Sequence, residues 1–256
     1  MRLIDSHCHL DLSLFDVDRN AALQRADDSG ISDIIVPAVK SSSWQKLQGI
    51  SKQEDSSVKV HAAYGLHPVF QQDHKPNDLA LLEKQLEAEP AIAVGECGLD
   101  FYIDDYEPLE QLKYFTAQLD LAVQFELPVI VHSRKSLDIV LRELRLRPSL
   151  TGVVHSYSGS LQQAKMLIDL GFYLGFGGPI TYPRATKLRR LIVDLPLESL
   201  LLETDAPDQP DISHRGLRNE PSWLPEIVSC VAKLRNISVE KVAEVTTKNS
   251  QRLFSL

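Results

Sequence analysis

Eight short apolar runs, each followed by room for a helix, recur along the 256 residues of the chain, and this alternation limits the folds open to it. The runs are Leu3-Ile4, Ser32 to Val39, Val58 to Leu66, Ala91 to Cys97, Leu127 to His132, Gly152 to His155, Phe172 to Gly177 and Leu200 to Thr204. Most are continuous in Val, Ile or Leu, the pattern of parallel strands covered on both faces. Between them lie helical stretches such as Leu109 to Val123, a capping box at Ser160-Leu161-Gln162-Gln163, and a last segment that Ser238 can cap, running toward Phe254. The expected fold is α/β: a (β/α)8 TIM-type barrel spanning residues 1–256 as one domain, since about 250 residues is typical of that fold. A doubly wound open sheet shares the alternation and is the rival architecture.

Composition narrows the class of protein. Hydrophobic residues make up 43% of the chain, enough for a full core. No apolar stretch approaches the roughly 20 residues of a membrane helix. Asp5 and two histidines interrupt the N-terminus where a signal peptide would be uniformly apolar. Cys8, Cys97 and Cys230 cannot all pair and lack zinc-knuckle spacing, so reduced thiols in a cytoplasmic protein are expected. No obligate protein partner is evident. The net charge of −8 argues against a broad basic surface gripping duplex DNA, yet leaves room for a narrow site where bound cations and a few arginines meet one or two phosphates.

In a barrel of this kind the active site lies at the C-terminal ends of the strands. Strand one leads to His7 and His9, which alternation points the same way while Cys8 points oppositely. The fourth run is read as ending at Glu96, the fifth at His132, the sixth at His155, and the eighth leads through Glu203 and Thr204 to Asp205. Residues of metal-ligand type at five strand ends are expected to share one rim. Six ligands exceed what one tetrahedral zinc accepts but serve two cations if a carboxylate bridges. Glu96 is the natural bridge, with His7, His9 and Asp205 completing one site and His132 and His155 the other. Two such cations about 3.5–4 Å apart can activate a shared water, and Asp205 is the candidate general base.

The chain resembles the TatD family of metal-dependent hydrolases, within the amidohydrolase-like superfamily of barrels. The resemblance runs through Asp5-Ser6-His7-Cys8-His9-Leu10-Asp11, Gly65-Leu66-His67-Pro68, Gly95-Glu96-Cys97-Gly98-Leu99-Asp100 and Pro128-Val129-Ile130-Val131-His132-Ser133-Arg134. It continues through His155-Ser156-Tyr157-Ser158-Gly159, Glu203-Thr204-Asp205-Ala206-Pro207 and Arg215-Gly216-Leu217-Arg218-Asn219-Glu220-Pro221. It implies a two-metal phosphodiesterase, often a deoxyribonuclease, with zinc as isolated and magnesium or manganese as working alternatives. Two departures stand out. His155-Ser156-Tyr157 replaces the usual His-Cys-Phe, and Asp208 and Gln209 follow Ala206-Pro207 where the family commonly has an aromatic and an apolar residue. Both lie near the expected mouth and bear on substrate preference.

Other residues have two readings each. His67 could contact a phosphate, orient a ligand, or be an ordinary hydrogen-bonded loop histidine. Arg134 could meet a substrate phosphate bidentately or pair with a loop carboxylate. The Arg215 to Pro221 loop reads as charge-paired anchoring before a helix, with steering of an anion as the alternative. His61, His74 and His214 show no partner in the sequence; Arg184, Lys187, Arg189 and Arg190 read as a solvated helix face. The leading expectation is a phosphodiesterase acting on short or single-stranded DNA, including exonuclease action. The alternatives are an amide, lactone or acyl-ester hydrolase and a non-catalytic metal-binding scaffold.

Overall fold

Eight parallel strands, each short and apolar, form one sheet in sequence order: β1 (Leu3–Asp5), β2 (Ile31–Pro37), β3 (Lys59–Tyr64), β4 (Ala93–Asp100), β5 (Val129–Arg134), β6 (Gly152–Val154), β7 (Phe172–Phe176) and β8 (Leu200–Leu202). This computed structural model describes residues 2–53, 56–104 and 107–256. The last strand returns beside the first, where the Ser6 amide donates to the Leu202 carbonyl at 3.1 Å. Asp5 adds a side-chain clasp there, accepting from the Thr204 amide (2.9 Å) and hydroxyl (2.5 Å). The sheet therefore rolls into the expected (β/α)8 barrel; the open-sheet rival falls away.

Helices cover the outside: α1 (Arg19–Asp28), α2 (Trp44–Ser51), α3 (Asp78–Ala88), α4 (Pro108–Gln124), α5 (Leu137–Arg145), α6 (Leu161–Asp169), α7 (Thr186–Asp194), α8 (Leu224–Arg235) and α9 (Val239–Phe254). Local signals set their starts. Ser160 and Gln163 make the reciprocal capping box, and the Ser238 side chain accepts from the Lys241 amide. None of the described helices is long and apolar enough to cross a membrane.

Why the strands read as unbroken apolar runs is visible in their packing. Ile4, Ile35, Ala63, Ala93, Ile130, Val153, Tyr173 and Leu201, one from each strand, fill the barrel lumen, with Leu253 and Phe254 of α9 packed against them. Their neighbours point outward under the helices, among them Ile34, Val36, Val129, Val131, Val154, Leu200 and Leu202. Cys8 and Cys97 lie in this outer layer, fully buried, and burial pushes both thiols up. They pack as small hydrophobes.

One expectation needs correction. Glu96 does not end strand four; β4 runs on to Asp100. A strict two-residue period from the lumen residue Ala93 would also send Glu96 outward, alongside Val94. Instead the pairing slips: Val94 faces Val129 and Cys97 faces Val131, so β4 carries one extra residue at that point. Such a bulge resets the alternation and turns Glu96 into the lumen. Gly98, in the next stretch, passes so close to β5 that a Cβ there would fall 2.0 Å from the His132 carbonyl oxygen. β5 likewise continues two residues past its predicted end, to Arg134.

The loop after β8 is tied to α1. Arg218 grips Asp18 with both guanidinium branches (2.6 and 2.8 Å), and Arg25 grips Glu220 (Nε to Oε1 2.9 Å, Nη2 to Oε2 2.6 Å) while reaching Asp18 at 3.0 Å. The anchoring reading of this loop holds for Arg218. Pro221 opens a short 3-10 turn, Pro221–Trp223, that leads directly into α8. The Arg218 and Arg25 guanidinium groups hold the Asp18 carboxyl well below the usual carboxylate range. A depressed carboxyl contributes stability above its unfolded value of about 3.9, and that contribution fades as pH falls through the folded value. Asp18→Asn is therefore expected to lower Tm at pH 7 by about 2–4 °C, as for a partly exposed ion-pair network, with the difference kept down to about pH 4 and shrinking only as pH falls well below it. Thermal melts of both proteins across pH 2–7 check this.

Candidate metal centre

Five imidazole nitrogens press on the carboxylate of Glu96 at the top of the lumen. Its Oε2 lies 3.1 Å from His7 Nε2 and 3.4 Å from His9 Nε2; its Oε1 lies 2.8 Å from His155 Nε2, 3.1 Å from His132 Nδ1 and 3.0 Å from His67 Nε2. Asp205 closes the His7–His9 side, with Oδ1 at 3.6 and 3.7 Å from their Nε2 atoms. All six residues named above as ligands therefore converge, although they come from five separate strands and the segments that follow them. The barrel phase explains how. His132 and His155 each stand two residues beyond the lumen residues Ile130 and Val153, so alternation carries both inward, while Asp205 lies past the end of β8 on a left-handed backbone, φ 57°, with its amide held by the His7 carbonyl at 2.9 Å.

Hydrogen-bond partners assign the ring protons. His9 Nδ1 lies 3.2 Å from the Pro37 carbonyl and His132 Nε2 lies 2.9 Å from Asp100 Oδ2. In a neutral ring each of these nitrogens donates, which leaves His9 Nε2 and His132 Nδ1 as lone pairs aimed at the Glu96 oxygens. Lone pair facing lone pair at this range is repulsive unless a ring proton or a metal cation sits between them; against burial, Glu96 and Asp205 push His9 up to about 9. Glu96 Oε2, fully buried, has no hydrogen-bond donor. Three groups of side chains can each offer converging ligand atoms: His7, His9 and Asp205; His7, Glu96 and His155; and His67, Glu96 and His132. This donor set of imidazoles and carboxylates fits divalent transition metals such as zinc.

The electrostatics follow from burial. Burial alone would raise the Glu96 carboxyl, but His155, His67 and His7 around it hold it well below the usual range. Burial pushes Asp205 up to about 6 against the opposing pull of His155 and His9. His67 is pushed down to about 4 by burial and stays neutral. Its Nδ1 accepts from the Val69 amide at 3.1 Å, so its Nε2–H donates to Glu96 Oε1. In that tautomer His67 braces the carboxylate. Its backbone carbonyl is in turn held by His74 Nε2 at 2.9 Å; His61 and His214 pair with Asp33 and Asp211.

Three features of the site escaped the sequence reading. Asp100 fixes His132, and its position four residues after Glu96 on a strand, on the same face, was the available signal. Glu203 lies behind His155, Oε1 to Nδ1 at 3.7 Å, and accepts the Ser156 amide at 2.6 Å. Gly175 makes room for it, since a Cβ there would fall 2.3 Å from Glu203 Oε2. Ser156 and Gln209, one from each departure from the family pattern, are hydrogen-bonded to each other, and the Gln209 carboxamide donates to Asp205 Oδ2. The two departures are thus a single linked change.

Above the floor opens a cavity of about 610 Å³, walled by groups that include Leu12, Phe70, Arg134, Tyr157 and Gln209. Arg134 is exposed on this wall, and no described carboxylate pairs with it. Removing the partner that fixes a ligand's tautomer typically costs 10–100-fold in metal affinity. Asp100→Asn is expected to weaken metal binding by about that factor while leaving the fold intact, as calorimetric titration of metal into the protein, with circular dichroism as the control, will read.

Comparison with known proteins agrees with this geometry. A family model described as TatD related DNase matches residues 4–255. The uncharacterized metal-dependent hydrolase YjjV of Escherichia coli K12 is 41% identical over 259 residues, covering 100% of this chain and 98% of its own length. An uncharacterized metal-dependent hydrolase of Haemophilus influenzae is 39% identical over 264 residues, with 100% of both chains covered. The crystal structure of YjjV superposes with a TM-score of 0.94, covering 99% of this chain and 98% of that one. A TatD family hydrolase from Entamoeba histolytica shares the fold, with a TM-score of 0.86 at 22% identity, covering 98% and 97% of the two chains. With its whole length matched and its strand ends bearing His7, His9, Glu96, His132, His155 and Asp205, the chain belongs to the TatD-related DNase family of metal-dependent hydrolases.

Proposed function

We propose that the protein is a phosphodiesterase that hydrolyses short or single-stranded DNA, exonucleolytic cutting included, in which His7, His9, Glu96, His132, His155 and Asp205 would hold two divalent cations. One observation carries this reading. The two oxygens of Glu96 divide between two donor sets, Oε2 toward His7 and His9 and Oε1 toward His132 and His155. Asp205 completes the first set. When bound, the cations would stabilise charge on the phosphoryl oxygens and make a water nucleophilic near neutral pH.

The chain's own residues supply the rest. Asp205, with Oδ1 toward the ligands and Oδ2 toward the cavity side held by Gln209, is the group placed to take the proton of the attacking water. His67 donates to Glu96 and keeps that carboxylate from rotating. Arg134, on the wall, supplies the planar fork that suits a phosphate. Four ligating imidazoles favour zinc, and magnesium or manganese are working alternatives. Buried, unpaired thiols at Cys8 and Cys97 agree with a cytoplasmic setting.

The test is hydrolysis of bis(p-nitrophenyl) phosphate and of end-labelled single-stranded DNA, with added zinc, manganese or magnesium and after chelation. Turnover of both should be lost on chelation and restored by metal, and Asp205→Asn should lower kcat by about 10²–10⁴-fold. No metal-dependent turnover of either, alongside cleavage of acyl esters or lactones, would sink the reading in favour of an acyl hydrolase. A biological effect unchanged in Asp205→Asn would point to a scaffold.

A further inference from the structure

Beside the metal cavity, two cations are stacked on one exposed tyrosine. The Arg134 guanidinium lies 3.7 Å from the centre of the Tyr102 ring, and Lys135 Nζ lies 4.4 Å from it. Backbone pairing builds this arrangement. Asp100 of β4 pairs with Arg134 of β5, and the Phe101 amide donates to the Arg134 carbonyl at 2.9 Å, which sets Tyr102 beside the end of β5. The Tyr102 amide donates to Asp100 Oδ1 at 2.8 Å, so the carboxylate that fixes His132 also fixes the tyrosine. Lys135 has a left-handed backbone, φ 54°, which turns the chain sharply between β5 and α5.

In a chain of net charge −8, two adjacent cations would be expected to find carboxylates. Among the described residues neither Arg134 nor Lys135 has an ion pair within 4 Å; Arg134 acts by charge on Asp100, its neighbour across the strand pairing, and both cations rest on the tyrosine face. Two like charges sharing one ring repel, and the ring quadrupole offsets only part of that. An anion beside them lowers that repulsion and matches the guanidinium fork. Arg134 stands two residues beyond His132 on β5, roughly 6.6 Å further along the strand, a spacing like that between neighbouring phosphates of a single strand. A side chamber of about 580 Å³ opens there. It shares Ser133, Tyr157 and Ser158 with the metal cavity, so the two lie side by side, and it has Lys135 and Asp138 on its wall.

We infer that Arg134 and Lys135, held together over Tyr102, form a second phosphate subsite, which takes the phosphate next to the scissile one. The inference rests on the phosphodiesterase reading and sharpens its substrate class: an oligonucleotide with at least two phosphates is preferred over an isolated diester.

The experiment compares the thymidine trinucleotide, with two phosphates, and the dinucleotide, with one, on the metal-loaded enzyme. Calorimetric binding of slowly cleaved phosphorothioate analogues of both to the metal-loaded wild type and variants runs in parallel. Wild type should favour the trinucleotide in kcat/KM. Lys135→Ala and Tyr102→Ala should each reduce that preference by about fivefold to tenfold through KM, as loss of one charged contact does, and Arg134→Ala by at least as much. Trinucleotide binding should also lose roughly 0.7 from its log–log salt slope when Lys135 is removed. An unchanged preference and an unchanged salt slope in Lys135→Ala and Arg134→Ala would overturn the subsite, as would failure of the trinucleotide to bind more tightly than the dinucleotide. Hydrolysis of acyl substrates only, with the binding preference intact, would overturn the phosphodiesterase reading and leave the anion subsite standing.

Discussion

A carboxylate with no access to water sits at the centre of this barrel, and the geometry around it answers the problem of keeping that charge there. An ion of this kind costs several kcal/mol to bury unless it is compensated. Glu96 meets the requirement by drawing imidazoles from the ends of β3, β5 and β6 and from the segment after β1. Three of those rings are held from behind: His9 by the Pro37 carbonyl, His132 by Asp100 and His67 by the Val69 amide. These supports choose the tautomers, which turn a lone pair of His9 and of His132, and an N–H of His67, toward the carboxylate. A site built this way is incomplete as protein alone, which is the physical sense in which a member of this family depends on metal.

Much of this was legible in the residues before any coordinates. Continuous apolar runs such as Leu200-Leu201-Leu202 announced strands covered on both faces, because lumen and helix side each need an apolar neighbour. Ligand-type residues at the ends of those runs announced the rim. Periodicity cannot see an insertion in the pairing, so the bulge that turns Glu96 inward was invisible, and with it the continuation of β4 to Asp100. Partners distant in sequence were equally hidden. His61 seemed solitary until β2 and β3 brought Asp33 beside it, and nothing in the order of residues couples Ser156 to Gln209 across 53 positions.

Two kinds of support are kept apart in the fold. The floor is fixed by buried strand-borne groups whose positions are shared among neighbours, so Asp100 serves both His132 and the Tyr102 backbone. The walls are made by side chains at the last residue of a strand, as Arg134, or on the segments after the strands, as Gln209 and Tyr157, which face the open volume. Chemistry and selectivity thus draw on different parts of the barrel.

The salt-bridged tie between α1 and the segment after β8 carries a consequence for how such a barrel can change. Asp205 secures the near end of that segment at the cavity floor, and Arg218 and Glu220 secure its far end on Asp18 and Arg25. The stretch between them is held along its backbone too, Asn219 on the Asp208 carbonyl, Tyr182 on the Pro210 carbonyl and the Ile212 amide on Thr181. Its outward side chains, Asp208 among them, can change without touching the barrel's closure between Ser6 and Leu202. Diversification of what the enzyme admits can therefore run on this strip, decoupled from the inheritance of the reaction itself.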